Sequence, residues 1–414
     1  MPRPVVLASL LGVAAVELAC LAGLPLPCAL QMFLLTLFTL VLGCEAGQGL
    51  PAAEREKALT ASDAAGLPLV AGALLVSLYL AFKHLDARLV NLLLRAYFTA
   101  FGAGAVGAAL LPLAARLLDN SAALLVLPLD RLQLAKKGLP VTLAGLAAGA
   151  AGAAAAAWWC ATSHWLASNL LGLAFCVAGL ASMNAGSVKN STLMLVGLFV
   201  YDIFMVFGTG YLLGSHKVSI MEEVATRVEG PIKLLFPLPA EDARGRPSPY
   251  SMLGLGDIIV PGIHLALLLR FDGALRAEAR GAAAEAGEQQ EADDAPTPYF
   301  NAGLLAYALG IVATNVSMHT MNTAQPALLF LVPAVLALPA GLALARGQLL
   351  RLWEFEEQAA EEEPAAAADR GLAAWALDSL GLLGVAEALG VVPRAQQAAG
   401  GGQAAAAAET KKDK

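Results

Sequence analysis

Ten predominantly apolar runs, each close to the length that crosses a membrane, dominate this chain of 414 residues. A transmembrane helix needs about 20 largely apolar residues to span a bilayer. Because a backbone in a bilayer must satisfy its own hydrogen bonds, such runs fold as helices. The sequence therefore predicts an all-α polytopic membrane protein, with helices near residues 5–23, 27–47, 66–82, 89–113, 141–160, 166–181, 192–213, 252–269, 302–318 and 326–345.

The composition agrees with a membrane protein and argues against several other classes. Hydrophobic residues make up 58% of the chain and charged residues only 14%, whereas soluble domains carry about 25% charged residues. The net charge is −7, and the absence of a basic stripe argues against nucleic-acid binding. The sequence has no zinc-site, serine-hydrolase or phosphate-loop motif, and its five cysteines lie in apolar runs. No metal or cofactor is expected.

The first apolar run has two interpretations. Arg3 precedes it, and the small residues Cys20 and Ala22 occupy the −3 and −1 positions of a signal peptidase site. Residues 1–23 are therefore interpreted as a signal peptide or, alternatively, as a retained first helix. If they are removed, nine transmembrane helices remain in a domain at 27–350, followed by a hydrophilic tail at 351–414.

The distribution of basic residues predicts the orientation of this domain. With nine spans and a cytosolic C-terminus, twelve Lys and Arg residues lie in or beside cytosolic loops and seven lie on the opposite side. Cytosolic loops of membrane proteins carry the excess of Lys and Arg. We therefore expect the N-terminus of the nine-helix domain in the lumen and the C-terminus in the cytosol.

Three hydrophilic or ambiguous segments lie outside the predicted spans. Residues 278–298 and 395–414 are rich in Ala, Gly and polar residues, which predicts disorder. Residues 371–392 are mostly apolar. We interpret them as an interfacial or partner-docked helix, and the alternative is a tenth span that would place the tail in the lumen.

Ionisable residues inside the apolar runs are the best guide to function. A charged side chain at the centre of a bilayer costs at least about 2.5–3.5 kcal/mol, so each one needs a reason. The candidates are Arg95, Asp202, Asp257, His264 and Glu17. Asp202 lies about 15 Å into its span at 1.5 Å per residue, and Asp257 lies near the start of the next span. Because these two spans are antiparallel, the two acids are expected to meet.

Two carboxyl groups that face each other in a low-dielectric site share a proton. One can then accept a proton from water while its protonated partner polarises an amide carbonyl. Two alternatives stay open on the acids alone: hydrogen bonding between helices, and a proton or ion relay in a transporter.

Residues around the acids narrow these alternatives. Gly254 and Gly256 allow another chain to approach Asp257 closely. Pro261 lacks the N–H that would bond to the Asp257 carbonyl in a helix. A further motif, Pro326-Ala327-Leu328, opens the last span.

Three motifs together resemble those of a known family. Tyr201-Asp202, Gly254-Leu255-Gly256-Asp257 and Pro326-Ala327-Leu328 are similar to the signature of the GxGD intramembrane aspartyl proteases, the family of presenilin and signal peptide peptidase. Residues 231–237 and 325–334 resemble the signal peptide peptidase branch in particular. The likeness extends from about residue 27 to about residue 355.

The resemblance implies a nine-span aspartic endopeptidase of the endoplasmic reticulum. It implies catalysis by Asp202 and Asp257, supported by Tyr201, Gly254 and Gly256, with Pro326, Ala327 and Leu328 holding the substrate strand. The implied substrates are type II-oriented transmembrane helices, chiefly remnant signal peptides. Other implied partners are the lipid bilayer, further copies of the chain and quality-control proteins. No cofactor is implied.

Two positions depart from the family pattern. Met205 stands where Trp is usual, and His264 stands where Phe is usual. These departures affect expectations about substrate preference and leave the pair of acids intact. We predict that His264 either packs as a neutral side chain or acts electrostatically on the pair from about 10 Å away.

Two lysines near the end of the chain predict where the protein resides. Lys411 and Lys412 form a dilysine signal for retrieval to the endoplasmic reticulum, which is read from the cytosol.

The main alternative to a protease is a secondary transporter that uses the two acids as a proton relay. A quality-control scaffold is the other.

Overall fold

A computed structural model describes residues 4–22, 27–48, 58–118, 123–127, 139–208, 220–238, 250–285, 296–321 and 326–357. Within these residues, nine helices are long and apolar enough to cross a membrane, which confirms the predicted all-α polytopic fold. The chain divides into two units, Met1–Gln358 and Ala359–Lys414. The second unit lies outside the described residues, as do the predicted helix at 371–392 and the dilysine ending.

The helices follow the apolar runs closely, because each run supplies both the length and the apolar surface that a span requires. The first helix, α1, contains the run interpreted as a signal peptide, and its described apolar part is shorter than that of the nine candidate spans. The first half of the chain forms α1 (Pro4–Leu21), α2 (Cys28–Gln48), α3 (Ala61–His84), α4 (Ala87–Leu117), α5 (Leu143–Thr162), α6 (Trp165–Ser182) and α7 (Val188–Ile203). Strands β1 (Ala123–Leu127) and β2 (Leu139–Thr142) pair between α4 and α5.

A π-helical turn, Phe204–Gly208, continues α7. The helices after it are α8 (Ile220–Arg227), α9 (Gly256–Glu285), α10 (Pro298–Met321), α11 (Leu328–Ala345) and α12 (Leu349–Trp353). Helix α9 lies at the centre, where it contacts α2, α6, α7, α10 and α11. It is the most buried of the candidate spans within the described residues.

The predicted start of the span that carries Asp257 is wrong. That span was expected from residue 252, but strand β4 (Tyr250–Gly254) occupies this stretch and α9 begins only at Gly256. Strand β4 pairs antiparallel with β3 (Lys233–Pro237), with Leu235 opposite Met252. Because the residues of β4 that precede Asp257 are largely apolar, hydropathy alone does not separate this strand from the first turn of a helix.

The predicted disorder from residue 278 is also wrong for its first residues. Helix α9 continues to Glu285, and Glu278 forms an ion pair with Arg351. Alanine and glutamate are strong helix formers, so this composition extends the helix beyond the apolar run. Residues 286–295 lie outside the described part of the chain.

The residues that follow α12 pack onto the helical unit. The carbonyl of Phe355 accepts a hydrogen bond from the N–H of Val188 at the start of α7, 3.2 Å away. Glu357 forms an ion pair of 2.8 Å with Arg270 of α9. The tail expected from residue 351 therefore has its first residues attached to α7 and α9.

Candidate active site

Asp202 is the second-last residue of α7, two residues before the π-helical turn at Phe204. Its side chain is 4% exposed. The backbone N–H of Leu328 donates a hydrogen bond to the carboxyl group, and Oδ2 has no hydrogen-bond partner among the described residues. A buried carboxyl oxygen of this kind requires an explanation, and one explanation is that it binds a proton or a ligand.

Asp257 is the second residue of α9 and follows the strand β4 after two residues. The backbone N–H of Gly254 donates a hydrogen bond to its carboxyl group. A Cβ atom on Gly254 would lie 3.3 Å from Asp257 Oδ2, so the strand approaches the carboxyl group as closely as a glycine allows. A Cβ atom on Gly256 would meet nothing within 4 Å among the described residues.

The structure brings Asp202 and Asp257 together from two contacting helices. Helices α7 and α9 pack against each other, and the two carboxyl groups are close enough to interact electrostatically. Two acids in this arrangement can share one proton, which provides a general base and a general acid in the same site. Among the described residues, no group of three His, Cys, Asp or Glu residues could hold a metal ion.

The break that Pro261 makes in α9 is filled by a tyrosine. Pro261 has no N–H to bond to the carbonyl of Asp257, four residues earlier. The hydroxyl of Tyr307, on α10, donates a hydrogen bond of 3.3 Å to that carbonyl, and Tyr307 is fully buried. A neighbouring helix thus supplies the hydrogen bond that the carbonyl of Asp257 lacks within α9.

The motif at the start of α11 contacts the acid of α7. Pro326, Ala327 and Leu328 are all buried, and the carbonyl of Ala327 accepts hydrogen bonds from two N–H groups of the following turn. This turn directs the N–H of Leu328 at Asp202. The described residues begin at Pro326, so Gln325 lies outside them.

Tyr201 and Met205 lie against α3. A Cβ atom on Gly72 would be 3.4 Å from the Tyr201 ring and 3.4 Å from Met205 Cε. Met205, one of the two departures from the family pattern, is buried in this contact. Tyr201 thus contacts α3 beside Asp202.

His264, the other departure, is a buried packing residue with a partner. Its side chain is 3% exposed, and Nδ1 is 2.9 Å from the hydroxyl of Ser191 on α7. This contact joins α9 to α7 and supports the packing interpretation over an electrostatic action on the acids.

Sequence reasoning missed two residues, Tyr307 and Asn169. Asn169, on α6, is 1% exposed and bonds to both the N–H and the carbonyl of Leu235 in β3. Both residues are uncharged polar side chains inside apolar runs, which is the signal that could have identified them.

The sequence was compared with known proteins. The profile of the signal peptide peptidase family matches residues 52–359. The human protein named signal peptide peptidase is 31% identical over 316 residues, which cover 75% of this chain and 77% of that protein. The mouse protein of the same name is 32% identical over 328 residues, with the same coverage of 75% and 77%.

Another relative matches over a shorter stretch. Intramembrane protease 2 of Caenorhabditis elegans is 40% identical over 176 residues, which cover 42% of this chain and 35% of that protein. No solved structure matches the chain.

Proposed function

Because the chain belongs to the signal peptide peptidase family of intramembrane proteases, we propose that it is an aspartic endopeptidase whose catalytic residues are Asp202 and Asp257. The observation that carries this proposal is the meeting of a buried acid of α7 and a partly buried acid of α9 within an otherwise apolar bundle. Such acids are expensive in a membrane and need a functional reason.

The proposed reaction is hydrolysis of a peptide bond by general acid–base catalysis. One carboxylate removes a proton from water as the water oxygen attacks the amide carbon, and the protonated partner donates a hydrogen bond to the carbonyl oxygen. The amine leaves with a proton from the acid, and the two carboxyl groups again share one proton. The N–H groups of Leu328 and Gly254 orient the two carboxyl groups for these steps.

The proposed substrates are type II-oriented transmembrane helices, chiefly remnant signal peptides, in the membrane of the endoplasmic reticulum. The names of the human and mouse relatives support this substrate class. The location of both acids within candidate membrane spans, Val188–Gly208 and Gly256–Gly281, supports cleavage within the bilayer. We further propose that Pro326, Ala327 and Leu328 hold the substrate strand beside the acids, since this segment already contacts Asp202.

The proposed orientation places the start of α2 in the lumen and the C-terminus in the cytosol. The excess of Lys and Arg at the predicted cytosolic loops supports it. A cytosolic tail would make Lys411 and Lys412 available as a retrieval signal.

Substitution of each acid by its amide tests the catalytic pair. We expect purified Asp202→Asn and Asp257→Asn to retain less than about 1% of the cleavage of a helical reporter, since loss of a general acid or base costs about 10²–10⁴-fold. The double variant should be no worse than either single variant, because the residues act as a unit.

The matched control is Asp86→Asn. Asp86 is the exposed N-cap of α4, where its side chain accepts the N–H of Arg88, and asparagine caps equally well. This variant should cleave at the wild-type rate. Substantial cleavage by either Asp202→Asn or Asp257→Asn would rule out the pair. Proton-coupled uptake that both variants lose, without any cleavage by the wild type, would favour the transporter.

A further inference from the structure

A chain of polar contacts connects α1 with the hairpin that leads into Asp257. Glu17, the only acid of α1, accepts a hydrogen bond of 3.2 Å from the side-chain Nδ2 of Asn169 on α6. Both residues lie in helices that are otherwise almost entirely apolar. A polar group in such a helix normally has a partner within the protein, and here each supplies the other.

Asn169 binds the outer edge of β3. Its Nδ2 donates to the carbonyl of Leu235 at 3.0 Å, and its Oδ1 accepts the N–H of Leu235 at 2.8 Å. The side-chain amide therefore satisfies both backbone groups of one strand residue, as a neighbouring strand would. With Glu17 as the third partner, both Nδ2 hydrogens and Oδ1 of Asn169 are used.

The hairpin formed by β3 and β4 connects the contact with Asn169 to Asp257. Leu235 lies opposite Met252 in β4, and the N–H of Leu255 donates to the carbonyl of Ile232 at 3.1 Å. Asp257 follows two residues later. Gly172, one turn after Asn169 on α6, leaves room for the side chains of Leu234 and Leu255, each 3.3 Å from the position of its missing Cβ. The position of the hairpin on α6 thus sets where α9 begins.

Helix α1 is packed against α2 in addition to this polar contact. Ser9 and Val16 are 4% and 7% exposed. Gly12 lies on the same face, and a Cβ atom there would be 2.7 Å from the ring of Phe38 on α2. A signal peptide that is cut away has no need of a small-residue face fitted to the mature protein or of an acid bonded to it.

We propose that α1 is a retained helix of the protein and that Asn169 is a positioning residue, oriented by Glu17, which holds the hairpin so that Asp257 meets Asp202. Without α1, one N–H of the buried Asn169 side chain would lose its acceptor. This proposal rests on the proposed function only where enzyme activity is measured. The intact-mass and melting-temperature measurements are independent of that function.

The mass of the purified full-length protein tests retention directly. We expect the intact mass to include residues 4–22. A mature N-terminus at Gly23, the cleavage point that Cys20 and Ala22 predict, would overturn the proposal.

Exchanging the carboxyl group of Glu17 and the side-chain amide of Asn169 tests the contact between them. Asn169→Asp sets a carboxyl group against Glu17 and against the carbonyl of Leu235, so the melting temperature should fall. Adding Glu17→Gln returns a donor to the new acid and should recover part of that fall. Asn315→Asp is the matched control. Asn315 lies on α10 and donates to the carbonyl of Ile311, so Glu17→Gln should leave its effect unchanged. Absence of rescue at position 169 would contradict the contact.

Enzyme activity distinguishes a positioning role of Asn169 from a purely stabilising one. Per folded molecule, Asn169→Asp should lower kcat/KM about tenfold, the effect of ~1.4 kcal/mol of lost interaction. It should also narrow the pH–rate profile, because carboxyl groups that move apart interact less strongly. Asn315→Asp should leave the width unchanged, and an unchanged width for Asn169→Asp would refute the positioning role. If Asp202→Asn retains activity, the proposed function fails, while the mass and rescue measurements still decide this inference.

Discussion

The carbonyl of Asp257 shows how one residue position determines the geometry of the candidate site. Proline at 261 removes the helical partner of this carbonyl, and the hydroxyl of Tyr307 replaces it at 3.3 Å. A buried carbonyl without a partner costs about 1–3 kcal/mol. The pairing therefore stabilises the turn that carries the acid, and it makes that turn dependent on α10.

Tyr307→Phe removes this hydroxyl and little else. We expect a lower melting temperature and a lower kcat per folded molecule, because the first turn of α9 loses its external partner. In a Pro261→Ala background the backbone N–H of residue 261 can bond to the Asp257 carbonyl, so the same substitution should have a smaller effect. Thermal unfolding and reporter cleavage of the four proteins measure this difference.

Tyr299→Phe is the control for that experiment. It also removes a tyrosine hydroxyl, one that donates to Gln348 at 2.6 Å rather than to the turn that carries Asp257. Its kcat per folded molecule should equal that of the wild type. Equal losses for Tyr307→Phe with and without Pro261→Ala would show that the hydroxyl has another role.

At the scale of elements, the spans were predictable and the hairpin was not. The thickness of a bilayer constrains the length of every apolar run, so the predicted span at 27–47 and the observed helix Cys28–Gln48 differ by one residue at each end. Residues 252–254 of β4 were assigned to the following helix because Met252 and Leu253 continue its apolar run. The two acids were predictable since acids in apolar runs are rare, whereas the role of Asn169 depends on a strand that the sequence did not reveal.

The packing of α2, α6 and α9 depends on one leucine between two glycines. Leu180 of α6 is fully buried. A Cβ atom on Gly43 of α2 would be 2.6 Å from its side chain, and one on Gly262 of α9 would be 2.5 Å away. Small residues at such points let membrane helices approach closely, which is the main source of their packing energy.

Gly262→Ala should therefore destabilise the bundle by about 1–3 kcal/mol through overpacking. Leu180→Val shortens the opposing side chain and should recover part of the loss. Gly273→Ala, on the same helix, meets nothing within 4 Å among the described residues, so it should be neutral or slightly stabilising. Melting temperatures in one detergent provide the comparison, and equal effects of Gly262→Ala and Gly273→Ala would refute the close contact.

At the scale of the molecule, the predicted orientation places the segment that follows α12 on the cytosolic side. Arg270 at 8% side-chain exposure and Glu357 at 16% form an ion pair that ties the end of the helical unit to α9. Arg270, Lys189 at the start of α7 and Arg276 of α9 are among the twelve basic residues assigned to the cytosolic side. The hairpin and α8 lie in the connection that is assigned to the lumen.

Glycosylation mapping tests this orientation, because an Asn-X-Thr acceptor is modified only on the lumenal side. We expect an acceptor inserted within residues 239–249, between β3 and β4, to be glycosylated. An acceptor within residues 286–295, between α9 and α10, should stay unmodified, since α9 crosses the membrane between the two insertions. The measurement is the mobility shift that an endoglycosidase reverses, with Asp202→Asn as the background so that activity does not complicate expression. Glycosylation at 286–295 alone would show that the orientation is the reverse of the proposed one. The acids would then lie toward the cytosolic half, and Lys411 and Lys412 would face the lumen, where a dilysine signal is not read.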